Sequence, residues 1–295
     1  MNKILILMVM TASLVAQTGF NGDRAFQYLE EQVAIGIRAP NTPGAQKAID
    51  YYKTFLEPLA DEVTLQNFQH PDPYADRTLN LTNIIARFDP ENRNRVMLCA
   101  HWDTRPRADR DPLRPEDPIL GANDGASGVA VLMEIANQLR EQPARIGVDL
   151  VLFDGEDYGK EGHLEGYLIG SRYLAANLYT PPPQQVILLD MIGDSELEIT
   201  IDPVSYRAAP HLVDAIWEVA DELGYTEFVR EMGPGMYDDH VSFIDIGIPA
   251  IDIIDFSYPN DYTNYWHTHE DTPDKCSPYS LEVVGNTILT WVYRQ

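Results

Sequence analysis

Cysteine is almost missing from this 295-residue chain, where Cys99 and Cys276 are the only two. That excludes a thiolate zinc centre and a disulfide framework. Cys99 lies in the apolar run RVMLCAHWD and reads as a buried strand residue. Two cysteines so far apart do not establish a bond. Basic residues are scarce too, with 21 Lys and Arg against 46 Asp and Glu and a net charge of −25. Such a surface repels phosphates and anionic headgroups, which argues against nucleic acid and anionic membranes as partners. No repeat, low-complexity tract or Pro/Gly/Ser linker divides the chain, and 44% hydrophobic residues are ample for one core. A single large domain is expected.

No apolar run is long enough to span a bilayer, which needs ~20 residues. The start, MNKILILMVMTASLVAQTGF, has Lys3 and an apolar stretch from Ile4 to Met10 running on to Ala16. It reads as a cleavable export signal over residues 1–16, leaving Gln17 at the head of a mature domain over 17–295. No cysteine stands there to carry a lipid anchor. The expectation is an exported protein, periplasmic or secreted, with no membrane insertion in its mature form.

The rest alternates. Helical spacing covers 23–35 and 44–60, and strand-like runs follow at 62–69, 80–88 and Arg95 to Ala100. A helix starting near Asp124 precedes a strand at 147–153. Helices near 170–177 and over 209–223 bracket a strand at 185–190, and a short element spans Asp239 to Ile244. A strand at 249–254 and a helix from Pro278 to Val292 close the chain. This order predicts an α/β domain: a mixed, mainly parallel central sheet with helices on both faces.

In such sheets ligands bind beyond the carboxyl ends of the strands. His101, Asp157 and Asp190 each stand at or just past the end of an apolar strand. Alone, each candidate has an ordinary explanation. Asp124 could cap a helix, Asp157 could be a solvated loop acid, Asp238-Asp239-His240 could cap a short helix, and His267 could lie on the surface. Together, carboxylates and an imidazole at one rim suit a catalytic zinc with three protein ligands and an open position. The adjacent acid Glu156 is placed as a general base.

The segments AHWDTRPRAD, ILGANDGASGVAVLMEIA, VLFDGEDYG, ILLDMIGD, DDHVSFIDIGIPAIDI and YWHTHEDTPDKCSP resemble the zinc aminopeptidase-like metallopeptidases. Among these they are most similar to the glutaminyl-peptide cyclotransferases, from about Arg38 to the C-terminus. The resemblance implies that Asp124, Asp157 and His267 bind one Zn²⁺. It implies that Glu156 is the general acid/base, with Asp190 and Asp238 in its hydrogen-bond network. Trp266 matches the aromatic wall of the substrate pocket. Many relatives carry Glu where Asp157 stands, and animal cyclases carry Gln where Tyr237 stands. Tyr237 and Tyr167 are then candidate substrate contacts, with peptides and proteins bearing N-terminal Gln as partners.

A dizinc aminopeptidase is the competing reading. Its second metal would use His101 and Asp190, both present, while Asp103 and Asp239 are candidates for a second metal or its supporting shell. Trp266 beside His267, the Asp238-Asp239 pair and the AHWD and GEDYG contexts favour the cyclase. A non-catalytic binding protein of this fold should have lost a ligand or the base, and here Asp124, Glu156, Asp157 and His267 are intact.

Overall fold

Two helices open the described chain, which in this computed structural model comprises residues 19–260 and 262–295. The expected leader and Gln17 lie outside the described residues. Helix α1 (Gly22–Ile35) starts behind Asn21, whose side chain accepts from the Arg24 N–H. Helix α2 (Pro43–Leu56) starts behind Thr42 with Pro43 in its first turn, a position where the missing N–H costs nothing. Strands β1 (Glu62–Pro71) and β2 (Thr78–Phe88) form an antiparallel pair. Then come β3 (Arg95–His101), α3 (Ala126–Glu141), β4 (Gly147–Phe153), α4 (Ile169–Ala176) and β5 (Gln185–Asp190). The remainder is β6 (Ile199–Ile201), α5 (Pro203–Ala208), α6 (Pro210–Leu223), β7 (Phe228–Met232), α7 (Asp239–Ile244), β8 (Ala250–Ile254) and, closing the chain, α8 (Pro278–Tyr293).

Six strands make the main sheet in the order β1-β2-β4-β3-β5-β8. The β4–β3, β3–β5 and β5–β8 pairings are parallel, and the two pairings on the β1 side are antiparallel. This is the mixed, mainly parallel sheet the sequence predicts. Alternate residues separate the two cores, as pleating requires. Leu98, Leu150, Leu152 and Ile187 pack with α1, α3 and α8 residues such as Leu29, Leu132 and Leu289. Met97, Cys99, Val151 and Leu188 face the other way, with Leu174 of α4 and Phe243 of α7. Cys99 and Cys276 are both buried and free, and they belong to different cores.

The helix expected over 209–223 is α6, and the six-residue α5 just before it is an element the sequence does not announce. One boundary is corrected. The second helix stops at Leu56, before the expected 60, where a turn leads into β1.

Tight packing of α3 on the sheet depends on Gly128. A Cβ there would lie 2.1 Å from the Leu189 carbonyl oxygen and 2.9 Å from the Ala100 Cβ. Gly128→Ala should lower stability by about 1–3 kcal/mol, the usual range for overpacking, and push α3 off β5. Urea unfolding checks this, and an unchanged midpoint would contradict the packing argument.

Several buried acids give stability an unusual pH dependence. Asp255 is 1% exposed, and burial lifts its pKa to about 7, against opposing bonds from the Glu198 and Ser257 N–H groups. An unfolded Asp titrates near ~3.9. Over the interval between the two values the folded chain holds a proton that the unfolded chain has released, so stability falls as pH rises from about 4 to 7. Asp255→Asn should flatten that decline, read as Tm at about pH 5 and about pH 8. Equal declines in both proteins would contradict it.

Candidate active site and metal centre

Parallel strands end together, and that geometry gathers the site. His101 is the last residue of β3 and Asp190 the last of β5, while β4 runs into Asp154-Gly155-Glu156-Asp157. The loop before α3 brings Asp124 to the same edge. Asp124 is not the helix cap: Gly125 holds that position at φ 105°, and the cap has no side-chain bond. A Cβ on Gly125 would meet the Asp103 carbonyl oxygen at 2.5 Å, so only glycine lets this turn close on His101.

The loop is tied down from two sides. The buried Arg38 guanidinium donates to the carbonyls of Trp102, Leu120 and Gly121. Asp271 accepts from the Asn123 and Asp124 N–H groups and from the Tyr258 hydroxyl. His267 arrives from the segment after β8 in the left-handed region, at φ 58°. A non-glycine residue held there signals a backbone constrained by its surroundings.

Two clusters share Asp124. In one, His267 Nε2 lies 3.4 Å from Asp124 Oδ2 and 3.3 Å from Asp157 Oδ1. In the other, His101 Nε2 lies 3.2 Å from both Asp124 Oδ1 and Asp190 Oδ1. All five residues are buried. Asp124 Oδ2 and Asp157 Oδ2 have no hydrogen-bond partner, although buried carboxylate oxygens normally have one. Tetrahedral ligands ~2.1 Å from zinc stand ~3.4 Å apart, so the first cluster has the donor set and the spacing of a zinc site. The second offers a His and two carboxylates at similar spacing.

Charge is crowded around these groups. Burial drives the Asp124 carboxyl upward, helped by the neighbouring Asp157 charge and opposed by His101 and His267. Burial pushes Asp157 up as well, but the Arg105 charge and His267 outweigh it and leave its pKa at about 2. Glu156 is only partly buried as a residue, yet desolvation and the nearby Asp238 raise its pKa well above the carboxylate range. Asp238 is raised by burial and by Asp190 and Asp239, and Asp239 reaches about 7, again mainly by burial. Asp238 also caps α7 by accepting from the Asp239 N–H, so the capping role and the place beside Glu156 coexist.

The remaining candidates fall into place around this centre. Asp103 accepts from the Glu156 N–H at 3.1 Å and the Asp157 N–H at 3.4 Å, which puts it under that loop as a support. Trp266 stacks on the His267 ring with centroids 3.7 Å apart, and Phe256 packs edge-on against Trp266 at 5.0 Å. Tyr167 is partly buried and bonds through its hydroxyl to Arg105. Tyr237 is 46% exposed, and its hydroxyl accepts from Arg172 on α4. Arg105, Asp109 and Asp271 were not singled out by the sequence reading. Their one signal was the AHWDTRPRAD and HEDT segments that contain them.

Residues 83–292 match peptidase family M28. The chain belongs to that family. A structure of Bacteroides thetaiotaomicron glutaminyl cyclase bound to N-acetylhistamine is 34% identical, covers 94% of this chain and 98% of its own, and superposes with a TM-score of 0.90. A Zn-dependent exopeptidase from Parabacteroides distasonis is 35% identical over 95% of this chain and 100% of its own, also at 0.90. A glutaminyl-peptide cyclotransferase-like protein of Bos taurus is 25% identical over 87% of this chain and 71% of its own. The M28 fold is therefore common ground between a cyclase and an exopeptidase at nearly equal distance from this chain.

Proposed function

We propose that this M28 protein is a zinc-dependent glutaminyl-peptide cyclotransferase. It converts the N-terminal Gln of exported peptides and proteins to pyroglutamate and releases ammonia. The observation that carries this reading is Trp266 stacked on His267. An indole lying on the imidazole of a candidate ligand would narrow a pocket there to one flexible side chain and would help to exclude water.

Asp124, Asp157 and His267 would hold the metal, with Asp109 behind His267. Zinc, when bound there, supplies Lewis-acid polarisation of the substrate γ-carboxamide. Glu156 takes a proton from the substrate α-ammonium. The freed amine attacks the γ-carbon, forming the C–N bond of the five-membered ring. Glu156 then returns the proton to the side-chain amide nitrogen, the old C–N bond breaks and ammonia leaves, while the ring nitrogen gives up its surplus proton to solvent. Nucleophile and electrophile belong to one residue, so a pocket that holds the side chain folded captures part of the large effective molarity of ring closure. Burial and the neighbouring Asp238 raise Glu156 above the ordinary carboxylate range, which makes it a stronger proton acceptor than an exposed carboxylate.

Among the described residues no helix is long and apolar enough to cross a membrane.

A dizinc exopeptidase remains the second reading, favoured by the His101, Asp124 and Asp190 cluster. A peptide whose N-terminal Gln carries an isotopic label in its side-chain nitrogen separates the two. Cyclisation sends the label into ammonia, whereas exopeptidase action leaves it in free Gln.

A further inference from the structure

Arg105 uses all five of its N–H donors while only 1% exposed. Nη1 donates to Asp157 twice, to Oδ1 at 2.6 Å and to the backbone carbonyl at 3.2 Å. Nε and Nη2 form a fork on the Asp109 carboxylate, at 2.9 and 2.6 Å. The fifth donor reaches the Tyr167 hydroxyl at 3.0 Å. Asp109 Oδ1 in turn faces His267 Nδ1 at 3.4 Å, on the opposite side of the ring from Asp124 and Asp157. The four side chains thus close a ring: Arg105, Asp157, His267, Asp109 and back to Arg105.

Each contact has a consequence for the two donors. A guanidinium seated on Asp157 Oδ1 fixes that carboxylate with Oδ1 at 3.3 Å from His267 Nε2, the spacing of two ligands on one zinc, while Oδ2 stays buried without a partner. A carboxylate facing His267 Nδ1 keeps the proton on that nitrogen and turns the Nε2 lone pair toward the cluster. Without the cation, Asp109, Asp124 and Asp157 would be three carboxylates around one imidazole. Lysine offers a point charge and cannot bridge two carboxylates in a fixed plane.

We infer that Arg105 and Asp109 are positioning residues that preset Asp157 as a one-oxygen ligand and His267 as an Nε2 ligand. The inference rests on the zinc reading of this site. It concerns how the chain prepares these donors, apart from which reaction follows.

Zinc affinity measured by competition with a chromophoric chelator tests it without reference to turnover. Arg105→Gln and Asp109→Ala should each weaken zinc binding ~10–100-fold, the usual effect of losing a ligand's supporting partner. Because the ring acts as a unit, the double variant should bind zinc within about threefold of the weaker single variant. Arg105→Lys should restore only part of the loss. Wild-type affinity in Arg105→Gln with an unaltered circular dichroism spectrum would overturn the inference, and so would single losses that multiply in the double variant. If Arg105→Gln does not fold, Asp109→Ala carries the test, since that side chain is 25% exposed. Failure of the wild-type chain to bind zinc would instead overturn the zinc reading itself.

Discussion

Glu156→Gln should reduce cyclisation of a Gln-initiated peptide by ~10²–10⁴-fold or more, the span assigned to a general acid/base, with zinc content unchanged. The amide keeps the size and shape of the carboxyl but cannot accept the α-ammonium proton. Glu156 belongs to neither donor cluster, so its loss leaves every candidate ligand in place. Folding should not suffer either. The carboxyl sits desolvated beside Asp238 and is raised well above its ordinary range, so a neutral isostere relieves repulsion. Activity assay, zinc analysis and Tm together check the assignment. Loss of zinc in this variant would move Glu156 from base to ligand, and retained turnover would remove it from the mechanism.

Asp124→Ala is expected to be as severe by a different route. Its two oxygens face different clusters, Oδ1 toward His101 and Oδ2 toward His267. Removing it strips a donor from both, so zinc and activity should disappear together whether the chain binds one metal or two. The variant also leaves His101 and His267 with fewer acceptors in a buried pocket, where unmet polar groups cost about 1–3 kcal/mol each. Tm should therefore fall without added zinc. Zinc retained at full occupancy would show that Asp124 is a bystander.

The parts of the site legible in the sequence are those set by strand ends. His101, Asp157 and Asp190 follow apolar runs, and once the strands are parallel their ends must share an edge. Asp124 was legible through the small residues around it, although its place just before the cap rather than at the cap depends on a positive φ at Gly125 that no periodicity reveals. The Arg105–Asp109 ring was not legible. It lies in a polar, proline-rich loop with no repeating pattern, and its contacts reach across 52 residues to Asp157. The burial of His267 was equally hidden, because its segment is polar and resembles a surface loop, yet the residue is 3% exposed. Helix α5 was hidden as well, because its six residues, Pro203 to Ala208, are too few to show a helical period, whereas the longer α6 shows one clearly.

The most direct test of the cyclase reading compares Gln-initiated and Leu-initiated peptides incubated with the zinc-loaded protein and read by mass spectrometry. The account predicts that the Gln peptide becomes lighter by one ammonia and stays otherwise intact, while the Leu peptide is untouched. Free leucine, or free glutamine in place of the pyroglutamyl product, would contradict it and mark the His101–Asp124–Asp190 cluster as a working second metal site.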